Sequence, residues 1–255
     1  MPDLAGPQPQ RNIITLKWGS RYGVEYVNKL HRAVSRQLTP PFRFVCFTDD
    51  PAGLDPGISH FPIPEIDLPA SASVTGWRKL CLFRRDLPIA GPSLFLDLDL
   101  LIAGQLDPFF EFEPDRIAII KNWVHWRKEW FGRLPRIGNS SVFRFEANQC
   151  GFVWDQFHQE KEWALANFRP PQSYLTHCLR ERMVFWPEEW VRSFKRHCRP
   201  IFPVNFLVAP RLPRGARIVA FHGKPDPPEA AAGYRGRKFH HYSRPARWIQ
   251  ELWDR

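Results

Sequence analysis

Leu94-Phe95-Leu96-Asp97-Leu98-Asp99-Leu100 is the stretch on which the fold turns. Alternation reads it as a strand, with Leu94, Leu96, Leu98 and Leu100 on one face and Phe95, Asp97 and Asp99 on the other. Asp is uncommon inside strands, and two ionised carboxylates on one side repel each other unless a cation lies between them. A hard divalent ion, Mg²⁺ or Mn²⁺, with substrate phosphate oxygens completing its shell, would relieve that repulsion. The competing reading is a strand end entering solvent with both carboxylates hydrated. Position favours the cation, because the acids close a very apolar strand in a chain of alternating strands and helices.

That alternation shows on both sides of the motif. Residues 12–18 read as a buried strand stopped by Gly19-Ser20. Val24, Val27, Leu30, Val34 and Leu38 recur every three or four residues and predict an amphipathic helix over 23–38, closed by Pro40-Pro41. A strand follows from Phe42 to Phe47, then a polar turn at Thr48-Asp49-Asp50-Pro51 and a Pro-rich loop. A helix near 75–86 leads into the strand Leu94 to Leu98. Beyond it the pattern predicts strands at 117–121 and 139–145, helices over 148–166 and 172–183, a late strand from Arg217 to Phe221 and a terminal helix from Ala246 to Trp253. The chain is therefore α/β with a largely parallel sheet, and such sheets take their ligands beyond the carboxyl ends of the strands. The Gly-rich fingerprints G-x-G-x-x-G and G-x-x-x-x-G-K-[ST] are absent, which removes the main support for a Rossmann dehydrogenase or a P-loop enzyme.

Bulk composition narrows the classes further. At 255 residues and 44% hydrophobic, the chain can bury a core of one large domain, or one domain with a small extension. No apolar run approaches the roughly 18 to 20 residues that a membrane span needs. The polar, Pro-bearing lead Met1 to Arg11 does not resemble a secretory signal, so the expectation is a cytoplasmic protein. Five cysteines without a Cys-x-x-Cys pair argue against a disulfide framework or a zinc ribbon. His177-Cys178 and His197-Cys198 read as separate residues that repeat a dipeptide, with reduced thiols. The net charge of +10, carried mostly by Arg, and the eleven Trp suit an anionic partner and flat-ring stacking without choosing between nucleic acid, lipid and phosphorylated small molecules.

Val74 to Phe110 resembles the central stretch of the family 8 glycosyltransferases, the group holding glycogenin and bacterial lipooligosaccharide galactosyltransferases. The resemblance runs through a helix with Lys79-Leu80, then Phe-Leu-Asp-Leu-Asp-Leu-Leu, then Leu106-Asp107-Pro108-Phe109-Phe110. Three further matches follow the same order. Thr15-Leu16-Lys17-Trp18 with Tyr22 is similar to the family's first strand and nucleotide loop. Asn139-Ser140-Ser141-Val142-Phe143 is similar to its Asn-Ser-Gly-Val segment, and Val219-Ala220-Phe221-His222-Gly223-Lys224-Pro225 to a shortened form of its late His-x-x-G-x-x-K-P motif. The match covers roughly residues 12 to 228.

The resemblance implies a GT-A fold, a nucleotide-sugar domain built on a mixed, mainly parallel sheet, over 12–228, with 229–255 a basic aromatic carboxyl-terminal extension. It implies a metal-dependent glycosyltransferase that moves a sugar from a nucleoside diphosphate, UDP being expected, to a saccharide or glycolipid acceptor with retention at the anomeric carbon. Asp97, Asp99 and His222 would hold Mn²⁺ or Mg²⁺, with Leu98 between the two acids and Gly223 beside the imidazole in the donor site. Lys224 would meet the diphosphate. Leu16, Lys17, Trp18 and Tyr22 would flank base and ribose, Lys79 or Arg78 the phosphate or sugar hydroxyls, and Asn139 and Ser140 the sugar itself. The family carries an Asp-Gln pair near the reacting carbon. Here the counterpart is Pro171-Gln172, so Gln172 is present and the Asp is not.

Two segments lie outside those motifs. Trp123, His125, Trp126, Arg127, Trp130, Phe131 and Arg133 sit within 122–138, either as a buried helical stripe or as an acceptor platform. Tyr234 to Arg255 is basic and aromatic, suited to an anionic membrane surface at which a lipid-linked acceptor would be met, or to a solvated helix face. Two other classes compete with sugar transfer. A nucleic-acid-binding protein would use the basic surface, although no known recognition motif appears; a nucleotidyltransferase or metal-dependent phosphohydrolase would also need paired carboxylates.

Overall fold

A computed structural model describes residues 10–73, 75–123 and 137–255. Its main sheet contains β1 (Arg11–Lys17), β2 (Phe42–Thr48), β3 (Ile58–Phe61), β4 (Gly91–Leu96), β6 (Ile117–Lys121), β7 (Gly138–Ala147) and β8 (Met183–Phe185) in the order β3-β2-β1-β4-β7-β6-β8. β1 pairs in parallel with β2 and β4, β2 with β3, and β6 with β8. β7 alone runs antiparallel, to β4 on one side and β6 on the other. The sheet is mixed and mainly parallel, as the sequence predicts. A second sheet joins β5 (Leu100–Ile102), β10 (Ile218–Ala220) and β9 (Val191–Ser193) in that order.

Parallel strands need both faces covered, and alternate residues here enter two cores. Ile13 of β1 and Leu94 and Leu96 of β4 pack beneath α1 (Val24–Gln37) against Val27, Leu30 and Val34. Ile14 and Phe95 face the other way, into a core that holds Trp77, Phe83, Phe143, Phe145, Phe157 and Tyr174. The covering elements on that face are the 3₁₀ turns Gly76–Phe83, preceded by the short α2 (Ala70–Ser73), and the helices α4 (Gly151–Gln159) and α6 (Pro171–Leu179). Phe95 lies 4.9 Å from Phe143 and Phe83 lies 5.2 Å from Phe145, so the centre of this layer is an aromatic stack. α3 (Pro108–Glu111) and α5 (Lys161–Asn167) complete the periphery.

Several predicted elements change form. The strand read as Leu94 to Leu98 ends at Leu96, and Asp97 to Asp99 bend out of the main sheet toward β5. The leucines keep the predicted face, since Leu98 and Leu100 join Leu94 and Leu96 in one core. The carboxylates gain a sheet rim instead of a sheet face, where Asp97 stays partly exposed while burial still desolvates the Asp99 carboxyl. The helix read over 172–183 stops at Leu179, Arg180 takes a positive φ of 30°, and Met183–Phe185 becomes β8 because β6 offers it a parallel edge. The helix near 75–86 forms as 3₁₀ turns, and the one over 148–166 divides into α4 and α5. β3 falls in the Pro-rich loop, and β5 and β9 lie in stretches to which the sequence pattern assigns no separate element.

The end of the chain packs against the body. α7 (Pro227–Ala232) opens with a capping box made by Asp226 and Glu229, and α8 (Arg247–Asp254) buries Ile249 and Trp253 with Phe194, Val219 and Phe221. Trp253 meets Tyr26 of α1 edge-on at 4.8 Å. All five cysteines are free, and burial pushes the Cys46 thiol up to about 12.

Candidate active site

At the carboxyl ends of β4 and β6 lies a cavity of about 530 Å³, within the range of small-molecule sites. Lys79, Asp97, Asn139, Ser140, Gln172 and His222, read from five separate segments of sequence, all line it. Topology explains the meeting. β4 delivers Asp97, its antiparallel neighbour β7 opens with Asn139 and Ser140, α6 presents Gln172 in its first turn, and His222 follows β10.

Lys79 is buried and reaches the end of β4. Its Nζ stands 2.7 Å from Asp97 Oδ1, donates to the Ser140 carbonyl at 2.9 Å and lies 5.0 Å above the Phe95 ring. Asn139 folds its Oδ1 back to accept the Ser141 N–H at 2.9 Å, which fixes the turn into β7. Asp97 N–H donates to the Ser141 carbonyl at 2.9 Å, tying the acidic bend to the same strand. Asp99 accepts a hydrogen bond from the Tyr22 hydroxyl at 3.0 Å. Burial, and then the charge of Asp97, raise the Asp99 carboxyl to about 7, with the Tyr22 hydroxyl opposing them. Tyr22 stacks at 4.9 Å on Tyr26, which in turn meets Trp253.

The Asp99 carbonyl accepts from Phe221 N–H at 3.0 Å, so the acidic bend and His222 are neighbours through the second sheet. His222 Nε2 lies 2.6 Å from Ser193 Oγ, and its ring stacks on Trp123 with centroids 5.4 Å apart. Burial, then the charges of Lys195 and Arg196, lower the His222 imidazole to about 4. It is therefore neutral near pH 7 and has a lone pair to offer. Gly223 follows at φ 68°, a conformation that an L side chain would strain.

Two carboxylates one residue apart and a neutral imidazole are the donor types that a hard divalent cation accepts; the Asp99 pKa is raised first by burial and then by the charge of Asp97, and an ion between the two acids would relieve the second. In this conformation each is engaged by protein: Asp97 by Lys79, Asp99 by Tyr22, His222 by Ser193. Among the described residues no three His, Cys, Asp or Glu side chains converge on a single ion position. The residues fit the metal in kind and would bind it by exchanging those partners.

The remaining predicted residues stand around this centre. Leu16 is core, Lys17 is buried with Nζ on the Asp50 carbonyl at 3.3 Å, and Trp18 packs against the core at the end of β1. Leu98 is buried between the two acids. Arg78 turns its Nε to the Ser73 carbonyl at 2.5 Å. Lys224 is held by Asp226 at 2.7 Å and Glu229 at 2.8 Å, on the capping box of α7. Lys195 also stands close by, its Nζ donating to the His222 backbone carbonyl at 2.5 Å. Arg196 lines the cavity with Trp123. Sequence reasoning passed over Lys195 and Arg196; the run Lys195-Arg196-His197, free of any acid, was the signal available. His125, Trp126, Arg127, Trp130, Phe131 and Arg133 lie outside the described residues.

The solved structures to which the chain is similar include sugar transferases. A galactosyltransferase, LgtC, in complex with donor and acceptor sugar analogues superposes with a TM-score of 0.59 at 13% identity, covering 95% of each chain. It has the GT-A fold. The glycosyltransferase GlyE of Streptococcus pneumoniae matches over 96% of this chain and 60% of its own, with a TM-score of 0.59 and 13% identity. The bifunctional glycosyltransferase WbbM matches over 86% of this chain and 47% of its own, at 0.58 and 11%. No protein-family profile matches the chain, and no curated protein matches its sequence. The GT-A likeness thus rests on shape, and the cavity coincides with the place where such a sheet receives its ligand.

Proposed function

We propose that this GT-A chain transfers a sugar from a nucleoside-diphosphate donor, UDP being the expected nucleotide, to a saccharide or glycolipid acceptor, with retention at the anomeric carbon. The supporting observation is that six residues singled out in sequence line one cavity at the carboxyl ends of the strands. Mn²⁺ or Mg²⁺, held by Asp97, Asp99 and His222, would supply positive charge against the departing diphosphate. Lys79 and Arg196 bring further positive charge to the same wall, where leaving-group charge develops. Asn139 and Ser140 offer hydrogen bonds to sugar hydroxyls, and Gln172 stands at the amino end of α6 beside them. Tyr22 holds Asp99 in place. Trp18, with Leu16 and Lys17, forms the end of β1 on which base and ribose would rest.

Calorimetric titration of UDP with and without Mn²⁺, on the parent protein and on Asp97→Ala and Asp99→Ala, tests the reading. Binding should depend on Mn²⁺ in the parent and be lost in both variants with the fold retained. Unchanged binding in both variants overturns the metal assignment. Incubation with a panel of nucleotide sugars and, separately, of nucleoside triphosphates separates sugar transfer from nucleotidyl transfer or phosphohydrolysis by the products formed.

A further inference from the structure

Five large apolar side chains stand together in solvent. Ile201, Phe202, Val204 and Leu207 follow the turn Phe194–Cys198, and Phe239 lies beside them; Ile201, Leu207 and Phe239 are 80%, 79% and 78% exposed. The half-buried Phe206 links the two segments, with its ring 6.1 Å from Phe202, 6.5 Å from Phe239 and stacked on Tyr242 at 4.7 Å. Asn205, fully buried, fixes them by donating from Nδ2 to the carbonyls of Phe239 at 3.1 Å and Tyr242 at 2.9 Å. The apolar side chains are thus held outward by an anchored backbone. Fully exposed aliphatic and aromatic side chains in one cluster are unusual for a surface that meets only water.

The two segments that carry the patch, 199–214 and 234–244, hold Arg199, Arg211, Arg214, Arg235, Arg237, Lys238 and Arg244 and no Asp or Glu. Arg211, Arg235, Arg237, Lys238 and Arg244 are exposed, and Arg244 reaches the Phe206 carbonyl at 3.2 Å. Tyr234–Arg255, read from sequence either as a membrane-facing stretch or as a solvated helix face, divides in the fold. Ile249 and Trp253 of α8 are spent on the core, and only its loop around Phe239 reaches this face.

We propose that this face docks the protein on an anionic lipid bilayer. Ile201, Phe202, Leu207 and Phe239 enter the headgroup boundary, and the surrounding Arg and Lys lie on acidic headgroups. A protruding apolar cluster ringed by cations is complementary to such a surface. A second copy of this chain is not, because a two-fold contact would set the acid-free face against itself. Among the described residues no helix is long and apolar enough to cross a membrane. Lys195 and Arg196 lie in the turn Phe194–Cys198 that precedes the patch, so docking would hold that wall of the cavity near the lipid. That last point rests on the sugar-transfer reading with a lipid-linked acceptor; the docking itself does not.

Co-sedimentation with phosphatidylcholine vesicles, with or without phosphatidylglycerol, tests this on the full chain. The parent should bind only the anionic vesicles and release with added salt. The triple variant Phe202→Ser, Leu207→Ser, Phe239→Ser should bind about tenfold more weakly or less, with Tm and UDP binding unchanged. Arg237→Glu with Lys238→Glu should weaken binding at low salt. A parent that ignores anionic vesicles, or a triple variant that binds as the parent does, overturns the proposal. So does light scattering that shows parent self-association abolished by the triple substitution without vesicle binding. If vesicles bind but no nucleotide sugar is used, the docking stands and the transfer reading falls.

Discussion

Lys79 Nζ sits 2.7 Å from Asp97 Oδ1 and 2.8 Å from Oδ2, on the wall of the cavity that His222 also lines. The ammonium supplies the cation that the acidic bend otherwise lacks, and both partners are mostly buried. Lys79→Met should therefore destabilise the protein by about 2 kcal/mol, since it leaves Asp97 beside Asp99 without compensation. Added Mn²⁺ should recover a larger share of Tm in the variant than in the parent. Calorimetry with and without the ion checks this, and equal Mn²⁺ effects in the two proteins would count against a shared ion position.

Trp123 covers one face of His222. Trp123→Leu should cost about 1 kcal/mol of stacking and expose the ring to water. With less burial, the imidazole should titrate upward from about 4 toward its ordinary 6.5. NMR titration of His222 reads that shift, and donor affinity should fall in parallel.

Arg144 supports the frame away from the chemistry. Its buried guanidinium donates to the carbonyls of Phe109, Phe110, Phe112, Glu113 and Arg116, closing the loop between α3 and β6. Arg144→Met leaves those carbonyls short of donors and should cost about 3 kcal/mol, roughly 6 to 12 °C in Tm for a chain of this size. Donor affinity of the folded variant should be unchanged.

Acid should weaken the fold through its imidazoles. Burial lowers His31, His197 and His222 below 6.5, in each case as the largest cause. A depressed histidine contributes stability above its unfolded value, and that contribution is lost as pH falls through 6.5 toward the folded value, because the unfolded chain binds the proton first. Tm should decline as pH drops below 6.5. His31→Gln, which removes a ring packed at 5.1 Å on Phe44, should decline less steeply from a lower starting point.

Part of the site was legible because its residues are chemically costly where they stand. Asp97 and Asp99 announce themselves by lying at the end of an apolar strand, whereas Asn139, Gln172 and His222 are named only through the family resemblance. The layer of each leucine from Leu94 to Leu100 followed from alternation alone. Partners across space were not legible. β3, β5, β8 and β9 are three or four residues long and owe their form to the strand beside them, so periodicity has too few positions to speak. The helix read over 172–183 runs into the first residue of β8 for that reason. Lys224 is named through the family motif, and its ion pairs with Asp226 and Glu229 on the next helix cap could not be read from that motif. Lys195 became visible only through its hydrogen bond to the His222 carbonyl.

Trp253, Tyr26 and Tyr22 form a continuous run of rings that ends on the carboxylate of Asp99. The last turn of α8 therefore sets how firmly a carboxylate is held that lies more than half the chain away in sequence, and a helix with no place in the cavity completes the bracing of Asp99.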